Sequence, residues 1–257
     1  MQKIRSAVLQ SRQFLEGLLE VFKRVKAAYQ SGQKSVLALR PRNGKTVAVF
    51  VSANSGLYGD IVDRTFEIFA DFVKKNNPDL VILGKLGTKM MNDRLKGHLY
   101  NYYDFSDDKV EMESFEMIMR YLVQFEKILV FYGQFKTILT QDPVATSVSG
   151  DSMVAVEQLP IGGKIEKEIS RQYLFEPSIE KVAQVFESEI LASIFEQTLH
   201  ESQLAKFASR MLALDQSVER IEKRLGKVEV EGRRLQHKIQ NKAQLHTISG
   251  ITLWANG

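Results

Sequence analysis

The residues best suited to chemistry in this chain are a Gly-Lys-Thr triplet, one glycine-bearing loop, four histidines and a pair of aspartates. Gly44-Lys45-Thr46 has the ending of a phosphate-binding loop, in which backbone N–H groups cradle phosphates and the lysine reaches them. Such a loop needs a glycine five positions before Gly44, and Leu39 stands there. The triplet also precedes a strand-like run, whereas a phosphate loop follows one. The loop Ser52-Ala-Asn-Ser-Gly-Leu-Tyr-Gly59 is better placed, because open α/β sheets take ligands beyond the ends of their strands. Its glycines, however, do not make the dinucleotide pattern, and Asp60 puts a carboxylate where a phosphate would meet the next helix. A tight strand-to-helix turn is the favoured reading. His98, His200, His237 and His246 have no metal-ligand spacing with one another or with a carboxylate pattern. Asp107-Asp108 reads as a turn. The chain has no cysteine, which excludes disulfides and thiolate metal sites. No catalytic residue, metal or cofactor is expected, and the sequence argues against an autonomous enzyme.

Bulk properties narrow the class further. Lys and Arg total 35 against 31 Asp and Glu, a formal charge of +4, with signs interleaved along the chain. No basic block marks a nucleic-acid tail, so no nucleic-acid partner is expected. The polar start Met1-Gln-Lys-Ile-Arg5 lacks the apolar core of a signal peptide, and no apolar run approaches membrane-spanning length. A cytoplasmic protein, or one peripheral to a membrane complex, is expected.

The elements that must position these residues fall into three parts. Residues 1–30 read as an N-terminal helix, with Ile4, Val8, Leu15, Leu18, Leu19, Phe22 and Val25 mostly on one face. Residues 31–176 read as an α/β domain. Thr46-Val-Ala-Val-Phe-Val-Ser52 is a nearly continuous apolar run, as for a strand covered on both faces. An amphipathic helix from Asp60 to Lys75 and a second strand, Leu80-Val-Ile-Leu83, complete a parallel, right-handed unit. Lys85 to Asn92 reads as a short helix, His98 to Phe105 as strand or loop, and Glu113 to Gln124 as a helix. Ile128–Tyr132, Lys136–Leu139 and Val144–Val148 read as strands. Leu159-Pro160 and Gly162-Gly163 mark a loop.

Residues 177–257 read as one long helix, opened by Pro177, whose missing N–H would be unpaired there anyway. Leu204, Phe207, Met211, Leu214, Val218, Ile221, Leu225 and Val228 recur at alternating three- and four-residue steps. That is a coiled-coil seam, narrower than the stripe of an ordinary surface helix. It continues less regularly through Leu235 and Ile239. Gly226 and Gly232 each cost up to about 1 kcal/mol relative to Ala. The helix would be on the order of 100 Å long, more than a small domain can bury. Periodicity alone is satisfied by an antiparallel hairpin with the N-terminal helix. The fold class expected is therefore α/β: a small Rossmann-like parallel-sheet domain inserted between N- and C-terminal helices that form an antiparallel coiled coil.

Val51 to Gly59, Tyr132-Gly-Gln-Phe135 with Gln141 and Pro143, and Leu159-Pro160 come first in a series of motifs. Tyr173-Leu-Phe-Glu-Pro-Ser178, Glu201-Ser202, Ala208-Ser-Arg-Met211 and Ala213 follow. Asn241-Lys-Ala243 and Ile248-Ser249 close it. In order and spacing these resemble the gamma subunit of F-type ATP synthases, from about Thr46 to the C-terminus. The resemblance implies a rotor shaft without local chemistry, turning inside a catalytic alpha/beta-type ATPase hexamer. Its α/β part would join a smaller, epsilon-like rotor subunit and a membrane c-type ring. It also implies partner contacts at Arg210 first and Lys242 next, with Met211 on the seam. Gln244 stands near the family's hexamer contact, and Ile248, Ile251, Leu253 and Trp254 would form an apolar bearing tip. That tail can equally be read as a frayed end or a patch docked on its own domain.

The sequence departs from the family pattern in several places. The family's Lys-Ile-Thr-Lys-Ala-Met segment is absent from Gln10 to Val25, and the stretch before the first strand is short. Gln244-Leu245 replaces an Arg-Gln, and Gly250-Ile-Thr-Leu-Trp254 replaces an acidic C-terminus. These mark a divergent member. Four functions stay open: the shaft of an ATP synthase, a similar shaft driving an output other than an ion ring, a free-standing coiled-coil adaptor, and a small-molecule α/β enzyme.

Overall fold

The computed structural model describes residues 10–11, 13–22, 43–107, 109–148, 176 and 178–255. Residues 13–22 form helix α1. The sheet elements follow as β1 (Thr46–Val51), α2 (Ile61–Asn76), β2 (Asp79–Leu83), α3 (Lys85–Arg94), β3 (Asn101–Tyr103), α4 (Met112–Leu122), β4 (Lys127–Phe135) and β5 (Gln141–Ser147). Helix α5 runs unbroken from Ile179 to Ala255.

The five strands are ordered β3-β2-β1-β4-β5. The first four are mutually parallel and β5 returns antiparallel beside β4. β1 sits inside the sheet and explains its own composition. Val47, Val49 and Val51 face one core, and Ala48 and Phe50 face the other. With both faces covered, alternation gives way to a continuous apolar run.

On one face, Val81, Leu83, Ile128 and Val130 meet Ile118 and Leu122 of α4, Leu15, Leu19 and Phe22 of α1, and Ile190, Phe195 and Leu199 of α5. On the other, Phe50, Ile82 and Phe131 meet Phe66, Phe69 and Val73 of α2 and Met90 and Met91 of α3. Phe69 stacks on Phe50 with centroids 5.2 Å apart and meets Phe131 edge-on at 5.4 Å. α2 ends at Asn77, whose left-handed backbone (φ 44°) lets its N–H bond the Val73 carbonyl. Pro78 then prevents further helix.

One local expectation changes. Lys136-Thr-Ile-Leu139 is not a strand. β4 runs through Phe135, and residues 136–140 form the turn into β5, held by the Thr137 N–H bond to the Thr140 carbonyl at 3.0 Å. The β-like residues Ile138 and Leu139 are exposed at that tip, so their composition reflects surface and not pairing. The aromatic stretch before Phe105 resolves as the short edge strand β3. The long helix ends at Ala255, within the span of residues 177–257 expected for it. The loop at Leu159 to Gly163, Tyr173 to Phe175 and Pro177 lie outside the described residues, as do residues 1–9 and 23–42.

The chain divides into two compact units, residues 1–210 and residues 211–257. Within the second unit, Met211, Leu214, Val218, Ile221, Leu225 and Val228 are all exposed. The seam therefore changes character along its length, since Leu204 is buried in the first unit and Phe207 packs against its core. No helix among the described residues is long and apolar enough to cross a membrane.

Candidate functional site at the seat of the long helix

A helix half on a sheet normally buries one stripe. Residues 201–206 of α5 are buried without interruption. Around this stretch, Ile194, Phe195, Leu199, Ala205 and Ala208 supply the apolar contact, yet Thr198, Glu201, Ser202, Gln203, Lys206 and Ser209 are buried as well. Buried polar groups need partners: Thr198 Oγ1 donates to the Phe195 carbonyl of its own helix, Glu201 takes donors from Tyr132 of β4 and from Gln197, and Lys206 reaches the loops beyond the strand ends.

Small residues set the spacing. A Cβ at Gly133 would lie 2.6 Å from Ile61 Cγ1 and 3.5 Å from Ala205 Cβ. A Cβ at Gly59 would overlap the Ser209 hydroxyl. Tyr58, buried beside it, meets Phe207 edge-on at 6.0 Å. Farther along, Tyr132 Oη donates to Glu201 Oε2 at 3.2 Å, and Gln197 Nε2 donates to Glu201 Oε1 at 3.2 Å.

The loop after β1 is the centre of this seat. Ser52 N–H bonds the Leu83 carbonyl at 3.0 Å, and Ser52 Oγ accepts the Gly87 N–H at 2.8 Å. Asn54 Oδ1 accepts the Lys85 N–H at 2.9 Å, while Asn54 Nδ2 donates to Asp104 Oδ1 and the Phe105 carbonyl. The Asn54 amide, with Lys85 beside it, holds the Asp104 carboxyl below the usual carboxylate range. Gly84 is required here, with φ 94° and a Cβ position 2.9 Å from the Ala53 carbonyl. These loops bring Asp107 and the Ser52 carbonyl onto Lys206 of α5.

The earlier site candidates are placed as follows. Lys45 lies at the entry to β1 and pairs with Asp79 at 3.7 Å, so Gly44-Lys45-Thr46 is a strand-entry turn. Arg210 is half-buried at the end of the seat, and Met211 beyond it is exposed. Lys242, Gln244 and Ile248 are exposed on α5. Ile251 and Trp254 lie within its last turns, and their side chains are outside the described residues. These residues are strung along one helix and are not gathered into one cluster. Among the histidines, His200 lies 3.6 Å from Glu196 Oε1 one turn away, and His237 and His246 are exposed.

Sequence reasoning missed Lys206 and Asp107. One signal was available: Lys206 is the only charge in Leu204-Ala-Lys-Phe-Ala-Ser209, a stretch otherwise apolar or small, and a buried charge demands a counter-charge.

A family model described as ATP synthase matches residues 1–241. The chain is 22% identical to an ATP synthase gamma chain of Cytophaga hutchinsonii, over 97% of this chain and 88% of the relative. It is 26% identical to one of Desulforamulus reducens, over 89% and 80%. Its fold is similar to a chain of the Euglena gracilis mitochondrial ATP synthase OSCP/F1/c-ring structure, with TM-score 0.58, 10% identity and coverage of 98% and 93%. It is also similar to a chain of the Tetrahymena thermophila central stalk/c-ring structure, with TM-score 0.52, 14% identity and coverage of 84% and 99%. Matched to this family over residues 1–241 and to curated gamma chains over most of both lengths, the chain belongs to the ATP synthase gamma-chain family, as a non-catalytic subunit.

Proposed function

We propose that this chain is the central rotor shaft of an F-type rotary ATPase. It would couple ATP synthesis or hydrolysis on a surrounding catalytic hexamer to rotation and ion translocation. The observation that carries this reading is the seam itself. Met211 to Val228 keep heptad spacing on an unbroken helix and remain exposed, as a seam that offers itself to a partner does.

Residues 1–30 and 177–257 would pair as an antiparallel coiled coil, with residues 31–176 as the domain at its base. The shared core of Leu15, Leu19 and Phe22 with Ile190 and Phe195 supports the start of that pairing, as does the Phe22–Phe186 ring contact at 6.3 Å. Arg210, Met211, Lys242, Gln244, Ile248, Ile251 and Trp254 are the proposed hexamer contacts. After Glu231 the chain carries Arg233, Arg234, Lys238 and Lys242 and no carboxylate side chain. The hexamer surface facing this stretch is therefore expected to be acidic. The smaller rotor subunit and the c-type ring would attach at the α/β domain, which places the protein peripheral to a membrane complex.

A second reading, a similar shaft driving an output other than an ion ring, is favoured by the tail Gly250-Ile-Thr-Leu-Trp254 in place of an acidic terminus. Affinity purification of the tagged chain tests both. Recovery of an ATPase hexamer with a membrane ring supports the first, and a hexamer without a ring favours the second. Recovery of no hexamer overturns both and leaves the adaptor.

A further inference from the structure

Lys206 is a charge that the exposed seam does not use. Its side chain is 6% exposed and that of Asp107 is 11% exposed. Nζ donates to the Ser52 carbonyl at 3.0 Å and to Asp107 Oδ1 at 3.1 Å, and it stands 5.7 Å from the centroid of the Tyr58 ring. A carbonyl, a carboxylate and an aromatic face are what a primary ammonium needs for its N–H donors and its charge.

These groups are held in place without help from the lysine. Asp107 Oδ2 accepts the Asn54 N–H at 2.8 Å, and Asn54 is fixed in turn by Lys85, Asp104 and Phe105. They gather beyond the C-terminal ends of β1, β2 and β3, the place where open α/β sheets take ligands.

We propose that this crevice is a receptor for one primary ammonium, that Lys206 is its built-in occupant, and that the grip sets the rotational phase of α5 in its domain. An apolar face alone tolerates turning and repacking. A single directional site does not, because each residue step turns a helix by about 100°. The close approaches at Gly59 and Gly133 fix how near the helix lies, and the ammonium fixes its angle together with the buried Tyr132–Glu201 bond one turn away. The consequence for torque rests on the shaft reading. The receptor does not.

The test begins with the full chain carrying Lys206→Ala, which removes the ammonium and most of its stem. Its Tm is expected to fall by roughly 10 °C. Millimolar n-propylammonium, which supplies the missing atoms, should restore most of that loss. Tetramethylammonium, equally charged but without N–H donors, should not. A loss that both salts repair equally, or that neither repairs, overturns the receptor. If this variant does not fold, Lys206→Met keeps the stem volume and is read by amide exchange. Faster exchange at residues 52–59 and 201–209 supports the proposal, and parental protection overturns it. In the assembled complex, Lys206→Met should lower the ratio of mechanical output to ATP hydrolysed several-fold. A parental ratio overturns the phase-setting role. Failure of the shaft reading is distinguishable, because then the parental chain recovers no hexamer.

Discussion

The backbone of Gly59 runs so close to Ser209 that an added methyl would overlap the serine hydroxyl and lie 3.1 Å from the Ser209 carbonyl. Gly59 also has φ 64°, a conformation costly for other residues. Gly59→Ala should therefore destabilise the chain by about 1–3 kcal/mol, read from urea denaturation. Adding Ser209→Gly should recover only part of the loss, since it relieves the overlap and not the backbone strain. Full recovery would remove the backbone part of this account.

Tyr132 and Glu201 make a buried bond between β4 and α5. Tyr132→Phe keeps the ring and leaves Glu201 with one donor fewer, while Gln197 still serves its other oxygen. The expected cost is about 1–2 kcal/mol. A double-mutant cycle with Glu201→Gln should show coupling, and additive losses would mean that the bond contributes nothing to stability.

The seam should respond in two ways along one helix. Leu204→Asp places a charge in a buried position and should unfold or severely destabilise the chain. Val218→Asp and Met211→Asp alter exposed positions and should shift the stability of the free chain by no more than about 0.5 kcal/mol. In the complex the same two changes should uncouple ATPase activity from its output. Parental coupling with either variant would argue against a packed shaft at that position.

Gly226 and Gly232 lie in α5 with open space at both Cβ positions. Ala at either site should strengthen the helix locally by up to about 1 kcal/mol. Amide exchange over residues 222–236 should slow, and an unchanged rate would show that the helix there is limited by something other than glycine. Such variants also test whether a compliant stretch is needed, through the rotation rate of the complex under load.

Acid sensitivity has a defined sign. The folded Asp104 carboxyl is held below its ordinary value, chiefly by the Asn54 amide. Its contribution is complete above the ordinary carboxylate range and is lost as pH falls through that range toward the folded value. The side chain is about half exposed, so the contribution is small. Asp104→Asn should flatten the fall in stability below about pH 4, measured by urea titration at stepped pH. An unchanged slope would place the acid response elsewhere.

The sequence alone determined the elements whose signal is local. A continuous apolar run marked β1, because a doubly covered strand needs no polar face. Heptad steps marked α5 and its seam, because helical periodicity repeats whatever the partner. The order of short motifs was enough to suggest the family. The strand-like reading of Lys136 to Leu139 failed because β-branched composition cannot distinguish a strand from an exposed hairpin tip. Only the tertiary structure decided where the seam passes from buried to exposed, at the step from Leu204 and Phe207 to Met211. It alone joined Lys206 to Asp107, 99 residues away, and to Ser52, 154 away. Such pairs leave no periodic trace. They exist because parallel strands end together and bring their loops to one edge, where a single buried charge must find its partner.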